Sequence, residues 1–299
     1  MNVAHALLDG LIDYAGLFPP ASLDMDSAVR AYADYRRSDD RRLLGRFIVP
    51  AAQVPDLSRA AASFIARGSA DPWRVSAIAG QDPVVARDIA LDFNCRHADA
   101  DGIPKAVCDA IEMPVKSFDD IALALETFPD SFQLFLEIPL QSDPAPLIAR
   151  LGGTRASAKM RTGGVVESAI PSPTEVLRFI RACSENGVAF KATAGLHHAI
   201  RGEYPLTYEA GAPRGTMYGY LNVFLAAAFV EAGLEDSRIL EVLGETDRSA
   251  FRFDESGVHW RSFSIGADTL PGIRREFAIS FGSCSFVEPV SEAKELNLI

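Results

Sequence analysis

Lysine is scarce in this chain. Among 299 residues there are five, Lys105, Lys116, Lys159, Lys191 and Lys294, and the other 24 of the 29 basic residues are arginine. Basic charge is itself in deficit, with 29 Lys and Arg against 40 Asp and Glu, for a formal net charge of −11. A nucleic-acid surface needs a basic face, so this balance argues against that class of partner. Cysteine is sparse as well. Cys95, Cys108, Cys183 and Cys284 form no CxxC pair and no zinc-like spacing, the pattern of reduced thiols in a cytosolic protein. The most apolar run, VFLAAAFV at 223–230, is too short to span a bilayer. The opening MNVAHALLDG lacks a basic segment and carries Asp9, so it does not read as a secretory signal. No GxGxxG follows an early strand, and no Pro/Gly/Ser-rich linker divides the chain. The expectation is a cytoplasmic protein with a small-molecule partner, no nucleic acid, no membrane, no cofactor and a possible homo-oligomeric state.

What is present is a repeating alternation of short apolar segments with helical ones. The candidate strands are 11–18, 45–51, 73–79, 106–115, 133–140, 156–162, 188–195 and 277–283. Helical periodicity falls between them, near 25–37, 56–67, 84–91, 118–127, 143–151 and 173–186. Such alternation implies βαβ units and a parallel sheet. Eight units in a chain of this length predict an α/β fold of the (β/α)₈ barrel type, with a doubly wound open sheet as the alternative. One unit is sharply marked. SPTE at 172–175 reads as a capping box, and Asn186-Gly187 ends the helix. Residues 1–299 are therefore expected to form a single barrel domain. A long insertion or subdomain at about 200–275 separates strands seven and eight, with a buried helix at 218–233, a shorter one near 236–244 and a hairpin around 252–263.

Two of the rare lysines lie inside strand-like stretches, AKMRTGG at 158–164 and FKATAGLHH at 190–198. An amine can lose its proton and attack a carbonyl, whereas a guanidinium effectively cannot. Alternate strand residues face opposite sides. If Lys159 points into the barrel, Ser157 and Arg161 do so too, while Ala158 and Met160 face the helices. The same alternation sends Lys191, Glu137 and Glu112 inward. Two inward lysines on neighbouring strands, about 4.8 Å apart, would each disfavour the other's charge. One amine would thereby become nucleophilic near neutral pH and suited to Schiff-base formation.

KMRTGG at 159–164 and KATAGL at 191–196 resemble the two lysine-bearing strands of the deoxyribose-phosphate aldolases, class I aldolases built on a (β/α)₈ barrel. FLE at 135–137 is similar to the apolar-Glu strand that precedes those two, and FGSCS at 281–285 to the family's last-strand phosphate segment. The resemblance covers about 156–196 and 281–285. It implies a lyase in which Lys159 forms the Schiff base and Lys191 depresses its pKa. Arg161 stands where the family has a small hydroxyl residue, and Glu112 is the nearest match to its acidic proton relay. The long interval before the last strand is foreign to it.

Other residues admit more than one role. Glu137 or Glu112 would shuttle protons, and His197 is a candidate acid/base. Arg161, Gly163, Gly164, Ser283 and Ser285 are candidates to grip a phosphate or carboxylate. An alternative places a metal on His197 and His198 with a carboxylate, though no HxxxH or HxH spacing supports it. A third reading is a non-catalytic barrel that binds a small anion. Asp13 and Tyr14, and Asn222, each read equally as structural groups. Cys284 could donate to the same anion and is less attractive as a nucleophile, and His259 reads as a surface residue.

Overall fold

The computed structural model describes residues 3–66 and 71–299, so the final residue of the helix expected at 56–67 lies outside the described residues. Eight parallel strands close into a barrel: β1 (Ile12–Tyr14), β2 (Leu44–Pro50), β3 (Trp73–Ile78), β4 (Ala106–Pro114), β5 (Gln133–Glu137), β6 (Ala156–Arg161), β7 (Phe190–Thr193) and β8 (Ala278–Ser283). Each pairs with its sequence neighbours, and β8 closes onto β1. The expected (β/α)₈ barrel is the fold.

Alternation explains why these segments become strands. Leu134 and Leu136 of β5, Ala158 and Met160 of β6, and Phe190 and Ala192 of β7 are all fully buried. Each large apolar side chain so buried contributes roughly 1.5–3 kcal/mol. The intervening residues turn to the barrel interior, where Phe135 fills a layer below the charged groups. The helix Pro173–Glu185 begins at the expected capping box. Ser172 Oγ accepts from the Glu175 amide, and Glu175 Oε2 accepts from the Ser172 amide at 2.7 Å.

The interval between β7 and β8 divides into three parts with different places in the fold. A two-stranded hairpin, Gly202–Pro205 with Arg214–Met217, stands at the barrel mouth. The helix Tyr220–Glu231 is buried from Tyr220 to Val230, as a helix apolar all round must be. Its Phe224 ring lies 6.4 Å from Phe190 and 5.9 Å from Phe281, over β7 and β8. It is therefore a member of the helical ring rather than part of an inserted subdomain. The hairpin expected near 252–263 is the start of a three-stranded sheet, Phe251–Asp254, Gly257–Trp260 and Phe263–Gly266. That sheet packs against the helix Val3–Leu8, which leads into the N-terminal end of β1, away from the mouth. Asn222 is structural: it accepts from the Arg201 amide and donates to the Val242 and Glu245 carbonyls. Among the described residues, no helix is long and apolar enough to cross a membrane.

Candidate active site

Every strand sends one group to a single buried layer near the C-terminal end of the barrel. Lys159 of β6 lies level with Glu137 of β5 on one side and with Lys191 of β7 on the other. Its Nζ is 2.7 Å from Glu112 Oε2 and 2.8 Å from Glu137 Oε2. Lys191 Nζ is 2.7 Å from Glu112 Oε1 and 2.6 Å from Asp13 Oδ2. Ser76 of β3 donates to Glu112 Oε1 at 2.7 Å, and Ser280 of β8 to Asp13 Oδ2 at 2.9 Å. From β2, the Arg46 amide donates to Asp13 Oδ1 at 2.6 Å. The next residue back, Gly45, is needed there, because a Cβ would collide with that same oxygen.

The result is a row of alternating charges: Asp13, Lys191, Glu112, Lys159, Glu137. Burial by itself would push the Glu112 carboxyl up. The two lysine charges and their hydrogen bonds outweigh it and hold Glu112 far below the usual carboxylate range. Burial likewise pulls the Lys159 amine down, and Glu112 and Glu137 outweigh it, so its pKa is raised. This corrects the expectation that Lys191 lowers Lys159. The strand-neighbour argument placed the two amines side by side, but the side chain of Glu112 crosses the interior from β4 and stands between them.

Above this layer opens a cavity of about 390 Å³. Glu112, Glu137, Lys159, Arg161, Gly164, His197 and Cys284 reach its wall; the remainder is largely apolar, from the segment Ala15–Pro20 to Leu206 and Met217 of the mouth hairpin. Lys191 lies beneath the wall, fully buried, with its Nζ 5.3 Å from the Phe135 ring centroid. The pair is thus asymmetric, since only Lys159 can be touched by a bound molecule.

Also on the cavity wall, His197 sits among groups of its own. Its Nδ1 is 3.8 Å from Cys284 Sγ and 3.4 Å from Glu288 Oε2, which accepts from Tyr208 Oη at 2.7 Å. Burial would lower this imidazole, but the hydrogen bonds and charges of Cys284 and Glu288 prevail and raise it to about 9. Glu288 is held down in return: burial is outweighed by its hydrogen bonds with His197 and Tyr208.

Several expected groups fall elsewhere. Ser283 is level with Tyr14, whose ring packs outward among Tyr32, Tyr35 and Phe47, so Ser283 turns away from the interior that Gly282 faces. Its Oγ ends 3.4 Å from His197 Nδ1. Ser285 Oγ accepts from the Glu288 amide at the start of the helix Val287–Glu295. Neither serine lines the cavity, and Glu288 itself occupies the region expected to hold a substrate phosphate. Gly163 is required for close approach, since its Cβ would come within 3.0 Å of the Gly195 Cα. His198 is committed to Glu292 at 2.5 Å and stacks on Tyr204, with its ring centroid 6.5 Å from that of His197. The structure does not bring both histidines to Glu112 or Glu137. Among the described residues, no cluster of three His, Cys, Asp or Glu side chains could hold a metal ion. His259 lies in the distal sheet beside Asp254, at 3.0 Å.

Asp13, Ser76 and Ser280 complete the layer, and sequence reasoning left Asp13 undecided and passed over the two serines. Their signal is faint: a small polar residue between apolar neighbours, as in VSA at 75–77 and ISF at 279–281. Compared with known proteins, the chain matches no family model and no curated protein.

Proposed function

We propose that the protein is an aldolase-like lyase that forms a Schiff base between Lys159 and a small carbonyl compound. The observation that carries this reading is the placing of one buried amine, between two carboxylates, at the floor of a largely apolar cavity. A raised amine pKa lowers the fraction of free nucleophile. Condensation, however, replaces an ammonium with a protonated imine, so the cation stays where the carboxylates hold it. The same field that keeps Lys159 charged therefore stabilises the product of its attack.

Glu137 is the more accessible of the two carboxylates for proton transfer. Its side chain is 23% exposed and holds one amine, whereas that of Glu112 is 1% exposed and clamped between two. In the proposed sequence, Lys159 gives a proton to Glu137 as its nitrogen bonds to the carbonyl carbon. The resulting carbinolamine regains that proton on oxygen, releases water and becomes the iminium. Glu137 then removes a proton from the adjacent carbon, giving an enamine that forms the new carbon–carbon bond with a second carbonyl. Lys191 and Asp13 act as positioning residues that fix Glu112. His197, also on the cavity wall, protonates the new alkoxide.

The lyase step is tested by hydrogen exchange at that adjacent carbon. Small aldehydes and ketones incubated in D₂O with the protein should acquire deuterium, read by NMR. Lys159→Met should abolish the exchange. Exchange that persists in Lys159→Met would refute the assignment.

A further inference from the structure

A second cavity, of about 280 Å³, adjoins the first, and Pro114, Glu137 and Arg161 belong to the walls of both. Its charges are unevenly used. Glu137 is engaged by Lys159, and Glu175 by the amide and hydroxyl of Ser172. The two cations on its wall, Arg161 and Lys116, carry no side-chain hydrogen bond or ion pair among the described residues, and both are exposed. Elsewhere most arginines of the barrel are paired, as Arg46 and Arg74 are with Asp109. Val115, Ile138 and Ile170 give the chamber an apolar wall.

Arg161 follows Lys159 by two residues on β6. Both side chains leave the same face of the strand, with their backbones about 6.6 Å apart at the strand rise of ~3.3 Å per residue. The row of five charges below sums to minus one if all are ionised, so a second carboxylate is poorly received beside Lys159 itself. A cation further out, unpaired and open to both chambers, is the place for one. A guanidinium binds a carboxylate through two parallel hydrogen bonds.

The geometry points to a bipartite substrate site. The reacting carbonyl occupies the inner cavity at Lys159, an alkyl spacer crosses the shared wall, and a terminal carboxylate reaches Arg161, with Lys116 beyond it. The substrate class is an oxo acid whose carboxylate lies several carbons from the carbonyl, rather than an α-oxo acid or a phosphorylated aldehyde. This inference rests on the imine reading for the inner cavity, and its test separates the two.

The test is borohydride trapping, read by intact mass, with pairs of aldehydes of equal carbon count: glyoxylate with acetaldehyde, and glutaric semialdehyde with pentanal. The wild type should favour glutaric semialdehyde over pentanal by about tenfold or more, the range of a hydrogen bond to a charged group. It should show no preference for glyoxylate over acetaldehyde. Arg161→Gln should bring the five-carbon ratio close to one. Equal trapping within the five-carbon pair, or a ratio unchanged in Arg161→Gln, overturns the inference while leaving the imine intact. If nothing traps, the imine reading fails and calorimetric titration with hexanoate decides the subsite alone. Binding to the wild type that is lost in Arg161→Gln supports it, and no binding, or equal binding to both, overturns it.

Discussion

Glu112 lies 2.7 Å from each of two lysine amines, and the behaviour of both depends on that one carboxylate. Removing a partner from such a buried ion pair costs about 3–5 kcal/mol, because it strands an uncompensated charge. The row is thus strongly determined, and of its two amines only Lys159 meets the cavity. His197 offers a separate test at this scale. Its folded pKa, about 9, exceeds the ~6.5 of an unfolded histidine. A raised pKa adds stability that is fully present below the unfolded value and is lost as pH rises through the folded one. Urea unfolding should show the wild type losing up to roughly 3 kcal/mol between about pH 6 and pH 9.5. His197→Asn should flatten that decline. An equal decline in the variant would show that the charge of His197 is not held by Cys284 and Glu288.

At the scale of elements, the sequence made all eight barrel strands legible, because each carries an apolar face every second residue between helical segments. The capping box at Ser172 and the buried helix near 218–233 were legible for the same local reason. Contacts across the interior were not. Asp13 and Lys191 are 178 residues apart and meet only because β8 closes onto β1, a pairing that leaves no periodic trace. Alternation correctly turned Lys159, Lys191, Glu112 and Glu137 inward, but it says nothing of which charge ends between which. The mouth hairpin was missed because Gly202–Pro205 and Arg214–Met217 are short and largely polar. Gly45 shows how an element serves the site: β2 supplies no side chain there, only a backbone with room for Asp13. Gly45→Ala should destabilise the fold by about 1–3 kcal/mol, as overpacking does, and should slow imine trapping at Lys159. Gly80→Ala, with no atom near its Cβ, serves as the control in the same urea unfolding series. Equal stability of the two variants would show that Asp13 is not held against the β2 backbone.

At the scale of the molecule, the barrel gathers one group from each of eight strands into a buried layer and leaves a single amine facing open space. The chain's few lysines make sense in that light. Two of them, Lys159 and Lys191, are the cations of that layer, each held between two carboxylates. The central claim is that Lys159 bonds covalently to a carbonyl carbon and that Lys191 does not. It is tested most directly by reducing the protein with borohydride in the presence of a panel of small aldehydes and oxo acids. The adduct would then be mapped by peptide mass spectrometry, beside Lys159→Arg and Lys191→Arg. The account predicts one adduct per chain, located on Lys159 and absent from Lys159→Arg. An adduct on Lys191, or one that survives unchanged in Lys159→Arg, would contradict it.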